Sequence, residues 1–127
     1  MAAGAPIRVL VVDDSEDARF LIGILLGEEP DIEVVASVAD APAALAAASE
    51  AAPDVVLMDA RMPAVDGFEL TPQVLALRPA VRVVLLTSLV DEVIRERALA
   101  AGAVACASKG DLDSLGPLVR DALLAPG

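Results

Sequence analysis

Short apolar runs that stop abruptly at polar residues constrain the fold of this 127-residue chain more than any other feature. One run covers Val55 to Met58 and stops at Asp59, and an earlier run covers Ile7 to Val12, with Arg8 as its only charge, and stops at Asp13-Asp14. Runs this short, with apolar residues in succession, are typical of strands that are buried on both faces of a parallel sheet. Because the loops that leave parallel strands converge at one edge of the sheet, these three acids are expected to lie close together.

Two further runs end in the same manner. Val83 to Leu86 is followed by Thr87-Ser88, and a weaker run from Ala103 to Ala107 is followed by Ser108-Lys109. Taken singly, each polar residue has an ordinary explanation as a turn residue, a helix cap or a solvated side chain. The repetition of the pattern at four strand ends favours a shared site instead.

Segments with helical patterns separate the strands. Strict alternation of strand and helix predicts an α/β fold, with a doubly wound five-stranded parallel sheet and helices on both faces. One domain is expected over residues 1–127, with a core at about 7–124 and short disordered ends. The second strand is predicted at Ile32 to Val38, and the helices are predicted at Ser15 to about Glu29, Asp40 to Ala52, Asp66 to Arg78, Asp91 to Ala101 and Asp111 to about Leu124, the last one irregular at Gly116-Pro117.

The composition excludes several classes of function. A formal net charge of −11 argues against direct binding of nucleic acid, which requires clustered Lys and Arg. No apolar stretch approaches the roughly 20 residues of a membrane span, and the amino-terminal segment does not have the features of a signal peptide. We therefore expect a cytoplasmic protein without membrane contact, in which the single cysteine, Cys106, forms no disulfide.

Three carboxylates at one edge of a sheet need a compensating charge. Asp13, Asp14 and Asp59 repel one another when they converge, and a bound cation relieves that repulsion. Oxygen ligands without His or Cys suit Mg²⁺, which is commonly held by carboxylates together with a phosphate. The acids therefore predict Mg²⁺ and a phosphorylated ligand or intermediate.

The other polar residues at this edge suit a phosphoryl group. Lys109 can pair with a phosphoryl oxygen as a mobile positive charge, and Thr87 and Ser88 can donate hydrogen bonds to the remaining oxygens. The chain contains no His and its only Cys lies within a predicted strand, so a carboxylate is the best nucleophile available. Phosphoryl transfer needs little beyond positioning and charge neutralisation.

The combined pattern resembles the receiver domain of bacterial two-component response regulators over Ile7 to Leu124. The resemblance implies a flavodoxin-like sheet with strand order 2-1-3-4-5. It also implies a signalling switch that is not an enzyme, apart from catalysing its own phosphorylation and dephosphorylation. The motifs that carry it are Asp13-Asp14, Asp59 followed by Met62-Pro63 and Asp66-Gly67, then Thr87-Ser88, Ala101-Gly102-Ala103 and Lys109.

The resemblance further implies a role for each residue at the edge. Asp59 would accept phosphate from a sensor histidine kinase or a phosphotransfer protein, Lys109 would bind the phosphoryl group, and Thr87 would move its hydroxyl onto that group. The ligands of Mg²⁺ would be Asp14, Asp59, the backbone carbonyl of Arg61 and, through a water, Asp13. The output would be regulation of transcription through an attached or separate module, with DNA bound only by a domain outside this chain and with a homodimer as one option.

Two departures from the family pattern leave alternatives open. Cys106 occupies the position in the last strand where the family usually has an aromatic ring, and Lys109 is followed by Gly110 where many members have Pro. A free-standing receiver that acts as a relay, or a degenerate interaction module, is therefore an alternative. A haloacid-dehalogenase-like phosphatase is another, although Arg61 stands where that superfamily usually has a second Asp.

Overall fold

A computed structural model describes residues 5–126 as an α/β fold around one sheet. The strand order is β2-β1-β3-β4-β5 and every neighbouring pair is parallel, so the predicted fold class is confirmed. The predicted disordered ends fall largely on residues 1–4 and 127, which lie outside the described residues. The strands are β1 (Ile7–Val12), β2 (Ile32–Val38), β3 (Val55–Asp59), β4 (Arg82–Thr87) and β5 (Ala105–Ser108).

Five α-helices connect these strands or follow them. Each of the first four begins after a polar N-cap whose side chain accepts a hydrogen bond from a backbone N–H three residues further on. Within residues 5–126, no helix is both long enough and apolar enough to cross a membrane. The helices, each with its cap where a side chain provides one, are α1 (Glu16–Gly27, Ser15), α2 (Ala41–Glu50, Asp40), α3 (Gly67–Leu77, Asp66), α4 (Glu92–Ala101, Asp91) and α5 (Leu115–Leu124).

The sheet separates two apolar cores. Leu10 and Val12 of β1 pack in one core with α2, α3 and α4, whereas Val9 and Val11 pack in the other core with α1 and α5. Successive residues of a strand point to opposite faces, so a strand that is covered on both faces must be apolar throughout. The continuous apolar runs of the sequence have this physical origin.

The bounds of several elements differ from those predicted, and α1 and β5 show the physical reasons. α1 ends at Gly27 rather than near Glu29, because the N–H groups of Glu28 and Glu29 turn back to carbonyls three residues earlier and tighten the final turn. β5 begins at Ala105 rather than Ala103, because the N–H of Ala103 donates to the carbonyl of Ala98 and completes the end of α4.

The last helical segment is divided. A 3₁₀ turn at Leu112–Ser114 precedes α5, so the irregularity predicted around Gly116-Pro117 falls at the junction and not inside the helix. Pro117 lies in the first turn of α5, where a backbone N–H would have no partner within the helix.

Candidate functional site

The polar residues predicted from the strand ends lie at the carboxyl edge of the sheet. Asp59 is the last residue of β3 and Thr87 is the last residue of β4, while Asp13 and Lys109 follow β1 and β5 directly. The strand register places Asp59 opposite Leu86, one residue before Thr87. Parallel pairing thus brings four strand ends to the same level of the molecule.

One lysine faces three carboxylates at this edge. Lys109 Nζ lies 2.8 Å from Asp13 Oδ2 and 3.2 Å from Asp59 Oδ2. Carboxylate oxygens of Asp13, Asp14 and Asp59, one from each, all lie within 4.8 Å of one another. Asp13 is 1% exposed and Asp59 is 6% exposed, whereas Asp14 is open to solvent. These acids and Lys109 leave an excess of negative charge beside an accessible surface.

The loop that follows β3 wraps around the Asp59 carboxylate. Its Oδ1 accepts a hydrogen bond of 3.0 Å from the backbone N–H of Arg61, and the N–H of Gly67 donates to the carbonyl of Ala60. The backbone of Gly67 comes so close that a Cβ built there would lie 2.5 Å from the Asp59 carbonyl oxygen. A glycine is therefore required for α3 to begin directly beside the end of β3.

Asp13 is fixed at three points. Its Oδ1 accepts a hydrogen bond of 2.9 Å from the N–H of Ser15, and its own N–H donates to the carbonyl of Val38. Its carbonyl oxygen accepts a hydrogen bond of 2.7 Å from the guanidinium of Arg19. Arg19 was not among the predicted residues, and its one signal in the sequence is that it is the only cation of α1.

The two hydroxyl residues differ in their surroundings. Thr87 is 3% exposed, and its Oγ1 accepts a long hydrogen bond of 3.4 Å from the N–H of Leu89. Its carbonyl oxygen accepts a bond of 2.8 Å from the N–H of Lys109, which ties the end of β4 to the residue after β5. Ser88, the next residue along the chain, is exposed.

Burial and charge shift the protonation equilibria of the two central groups. Burial raises the pKa of Asp59 above its ordinary value and the Asp13 charge adds to this, while the Arg61 N–H and Lys109 oppose it. For Lys109, burial is the largest single effect and lowers the pKa. The contacts with Asp13 and Asp59 together outweigh that effect, so the pKa of Lys109 is raised and the ammonium stays charged.

The donor set fits a hard divalent cation. All three acids offer oxygen, and the exposed carboxylate of Asp14 provides access from solvent. Asp13 Oδ2 is buried and receives no well-directed hydrogen bond from residues 5–126, so its contact with Lys109 is that of an ion pair. A buried carboxylate oxygen with spare acceptor capacity, beside two further acids, is suited to bind a cation or one of its water ligands.

The five-stranded parallel sheet, with an acid cluster and a lysine at its carboxyl edge, defines a receiver-type domain, and comparison with known proteins identifies the family. Residues 9–117 match the family model described as the response regulator receiver domain, and the chain belongs to this family. The structure is similar to the response regulator domain of Thermotoga maritima CheB, with 31% identity, a TM-score of 0.88 and coverage of 96% of this chain and 99% of that one. It is also similar to a LuxR-family two-component response regulator from Aurantimonas, with 29% identity, a TM-score of 0.89 and coverage of 94% and 86%.

Two curated relatives show how the family member fits into longer proteins. A protein-glutamate methylesterase/protein-glutamine glutaminase of Anaeromyxobacter dehalogenans is 45% identical over 105 residues, which are 81% of this chain and 30% of the relative. The response regulator protein VraR of Staphylococcus aureus is 43% identical over 96 residues, which are 76% of this chain and 46% of the relative. The chain thus spans less than half the length of either relative.

Proposed function

We propose that this chain is a phosphorylation-dependent signalling switch, a single receiver domain over residues 1–127 in which Asp59 accepts a phosphoryl group from a histidine kinase or a phosphotransfer protein. The observation that carries the proposal is that the Lys109 ammonium contacts two buried carboxylates at the carboxyl edge. A carboxylate can act as a nucleophile towards phosphorus, and positioning and charge supply most of the catalysis. The chemistry is limited to the gain and loss of the chain's own phosphoryl group.

The same residues support a Mg²⁺ site. The proposed ligands are Asp14, Asp59 and the backbone carbonyl of Arg61, with Asp13 acting through a water. When bound, the ion supplies positive charge to the phosphoryl oxygens and to the carboxylates. The exposure of Asp14 and the spare acceptor capacity of Asp13 Oδ2 support this assignment.

The proposed phosphoryl transfer uses the contacts of Asp59. A carboxylate oxygen of Asp59 forms a bond to phosphorus while the bond from phosphorus to the donor nitrogen breaks, and the donor keeps that electron pair. Lys109 exchanges its contact with Asp59 for one with a phosphoryl oxygen and remains near Asp13. The hydroxyls of Thr87 and of the exposed Ser88 donate hydrogen bonds to the other phosphoryl oxygens.

The switch is proposed to begin at Thr87. Among residues 5–126, a long hydrogen bond from the N–H of Leu89 is the only one that its hydroxyl has to give up, so turning towards the phosphoryl group costs little. That movement pulls on the loop that leads into α4 and so converts a local charge into a change at the surface of α4. With Cys106 in β5, no ring follows the threonine inward, so the change is expected to be smaller than one that also moves a ring.

The output is proposed to be transcription, through an attached or separate DNA-binding module, in the cytoplasm and with dimerisation as one way of reading the switch. Similarity to VraR and to a LuxR-family regulator supports this assignment. The 45% identity to a methylesterase/glutaminase favours an enzymatic output as a second candidate. The reading frame that encodes the chain tests this choice, since the two outputs require different downstream domains.

Incubation with acetyl phosphate and MgCl₂, followed by intact mass measurement, tests the phosphoacceptor. We expect one added phosphoryl group in the wild type and none in Asp59→Asn. Asp54→Asn is the matched control, because Asp54 directly precedes β3 and its carboxylate accepts a hydrogen bond from the N–H of Arg8 at the opposite edge. This variant should be labelled like the wild type.

Other outcomes favour the alternatives. Labelling of Asp59→Asn at the wild-type level would remove Asp59 as the acceptor. A wild type that binds a kinase but takes up no phosphoryl group would favour the degenerate interaction module. Sustained release of inorganic phosphate from a small phosphate ester would favour the haloacid-dehalogenase-like phosphatase.

A further inference from the structure

Arg19 of α1 reaches back across the start of its own helix to the end of β1. Its guanidinium donates a hydrogen bond of 2.7 Å to the backbone carbonyl of Asp13, in a half-buried contact. β1 has ended at Val12, so this carbonyl lies beyond the paired part of the strand. The guanidinium provides the hydrogen-bond donor that a neighbouring strand would otherwise supply to this carbonyl.

This contact controls the direction of the next residue. The carbonyl of Asp13 and the nitrogen of Asp14 belong to one planar peptide unit, so a donor that fixes the carbonyl also fixes the point from which Asp14 starts. The side chain of Asp14 is exposed, unlike the buried carboxylates of Asp13 and Asp59. Its placement therefore depends on the backbone more than on packing around the side chain.

Charge gives a second reason for the position of Arg19. The first turn of α1 carries Glu16 and Asp17, which suit the positive end of a helix dipole, whereas a cation near that end is disfavoured. Arg19 is nevertheless the only cation of α1, and it lies beside the corner that displays Asp13 and Asp14. There its positive charge offsets part of the repulsion between the acids.

We infer that Arg19 is a positioning residue for the proposed metal site, which it serves by holding the Asp13–Asp14 peptide in the orientation that presents Asp14 to a cation. The inference rests on the proposed function. Arg19 itself contacts neither the cation nor the phosphoryl group. Residues that orient metal ligands typically change metal affinity by 10- to 100-fold when they are replaced, and loss of one backbone contact belongs at the lower end of that range.

Calorimetric titration with MgCl₂ of the unphosphorylated protein tests this role. Arg19→Met keeps most of the side-chain stem and removes the donor and the charge, so it should weaken Mg²⁺ binding about 10-fold. Arg19→Lys should recover most of the affinity, because a lysine ammonium can still donate to a single carbonyl. With acetyl phosphate, Arg19→Met should require more Mg²⁺ for half-maximal labelling but reach nearly the wild-type rate at saturation.

Arg120→Met is the matched control. Arg120 lies on α5 and pairs with Glu29 and Asp31 away from the carboxyl edge, so its loss should lower the melting temperature without changing Mg²⁺ affinity. Unchanged Mg²⁺ affinity in Arg19→Met, or an equal loss of affinity in Arg120→Met, would overturn the inference alone. Failure of the wild type to bind Mg²⁺ would overturn the proposed metal site together with it.

Discussion

Three guanidinium groups at the amino edge of the sheet meet matched acceptors, whereas at the carboxyl edge one ammonium lies among three acids. Arg8 donates to the carbonyls of Ala51 and Ala52 at the end of α2, and Arg82 donates to the carbonyl of Ala125 just after α5. Nearby, Arg120 of α5 pairs with Glu29 and Asp31 at the turn between α1 and β2. Each of these three cations therefore joins two segments of the chain and has an acceptor of its own.

The carboxyl edge is built differently. Lys109 contacts Asp13 and Asp59 at once, and burial keeps the pKa of Asp59 raised in spite of that contact. Such a cluster is poor for stability but ready to receive a cation or a phosphoryl group. On the proposed function, the amino edge contributes to stability alone and the carboxyl edge also carries the chemistry, so substitutions at the amino edge should leave phosphoryl labelling unchanged.

Two glycine substitutions should show the largest difference between the edges in stability and in phosphoryl labelling. In Gly67→Ala the new Cβ would lie 2.5 Å from the Asp59 carbonyl oxygen and 2.9 Å from the Cα of Ala60, and backbone cannot yield cheaply. We expect a loss of about 3 kcal/mol in unfolding free energy and a marked loss of phosphoryl labelling. Urea denaturation and labelling with acetyl phosphate measure the two effects.

Gly116→Ala is the counterpart on α5, beside the Glu29–Arg120 ion pair. There the new Cβ would meet Glu29 Oε1, the end of a flexible side chain that can move aside, and alanine is the better helix former. A smaller loss of stability with normal labelling is expected. If Gly116→Ala lost as much labelling as Gly67→Ala, the two regions could not be regarded as independent.

Arg8→Ala should give a smaller effect that is confined to stability. The substitution removes the donors to the Ala51 and Ala52 carbonyls, bonds to a charged group whose loss typically costs about 2 kcal/mol. The midpoint of urea denaturation should fall with an unchanged slope, and Asp59 should be labelled at the wild-type rate. If Arg8→Ala were labelled more slowly under conditions in which it is fully folded, the amino edge would also affect the rate of phosphoryl transfer.

The two edges also differ in how far the sequence predicts them. Asp13, Asp59 and Lys109 follow apolar runs directly, and parallel pairing brings such strand ends together, so their proximity is predictable from local pattern. The contact of Arg8 with Ala51 joins residues 43 positions apart, through a side chain that looks like an ordinary strand charge. No short-range pattern encodes it, because it depends on how α2 packs against the sheet.

The boundaries of helices and strands are likewise only partly predictable from local sequence. Ser15, Asp40, Asp66 and Asp91 are recognisable as caps because a side-chain oxygen near its own backbone is a local feature. The start of β5 is not recognisable in this way, since alanines from Ala103 onward suit both helix and strand. There the hydrogen bond of Ala103 to the end of α4 decides where the strand begins.

Asp59→Asn should change stability in the opposite direction to Arg8→Ala and by less. The pKa of Asp59 is higher in the folded state than in the unfolded chain, so its negative charge destabilises the fold. This destabilisation is complete at pH values above the folded-state pKa. The variant should therefore melt a few degrees above the wild type at pH 7. As the pH falls through the raised pKa of Asp59, the wild type becomes protonated and the difference should shrink. Calorimetric melting between pH 7 and pH 4 checks both parts, and a less stable variant at pH 7 would show that the Lys109 contact outweighs burial.

Cys106→Tyr should affect labelling least of all. Cys106 lies half-buried in β5, where burial raises the pKa of its thiol and Arg95 of α4 partly opposes this shift, so a ring introduced there would lie close to α4. Because β4 lies between β5 and the strand that ends at Asp59, the labelling rate should stay near that of the wild type. The chain contains no Tyr or Trp, so the variant carries a single tyrosine, and tyrosine emission reports on the face between α4 and β5.

Fluorescence of Cys106→Tyr then tests whether the carboxyl edge transmits its charge to α4. Emission should change on addition of acetyl phosphate and MgCl₂, and the same addition to the double variant Asp59→Asn/Cys106→Tyr should leave it unchanged. Full labelling without a change in emission would mean that the effect of phosphorylation stays local. The face between α4 and β5 would then move little in this receiver, which has Cys106 instead of a ring. A labelling rate altered as much as the emission would instead show that the ring position belongs to the chemistry, because only a residue coupled to Asp59 before phosphorylation can change that rate.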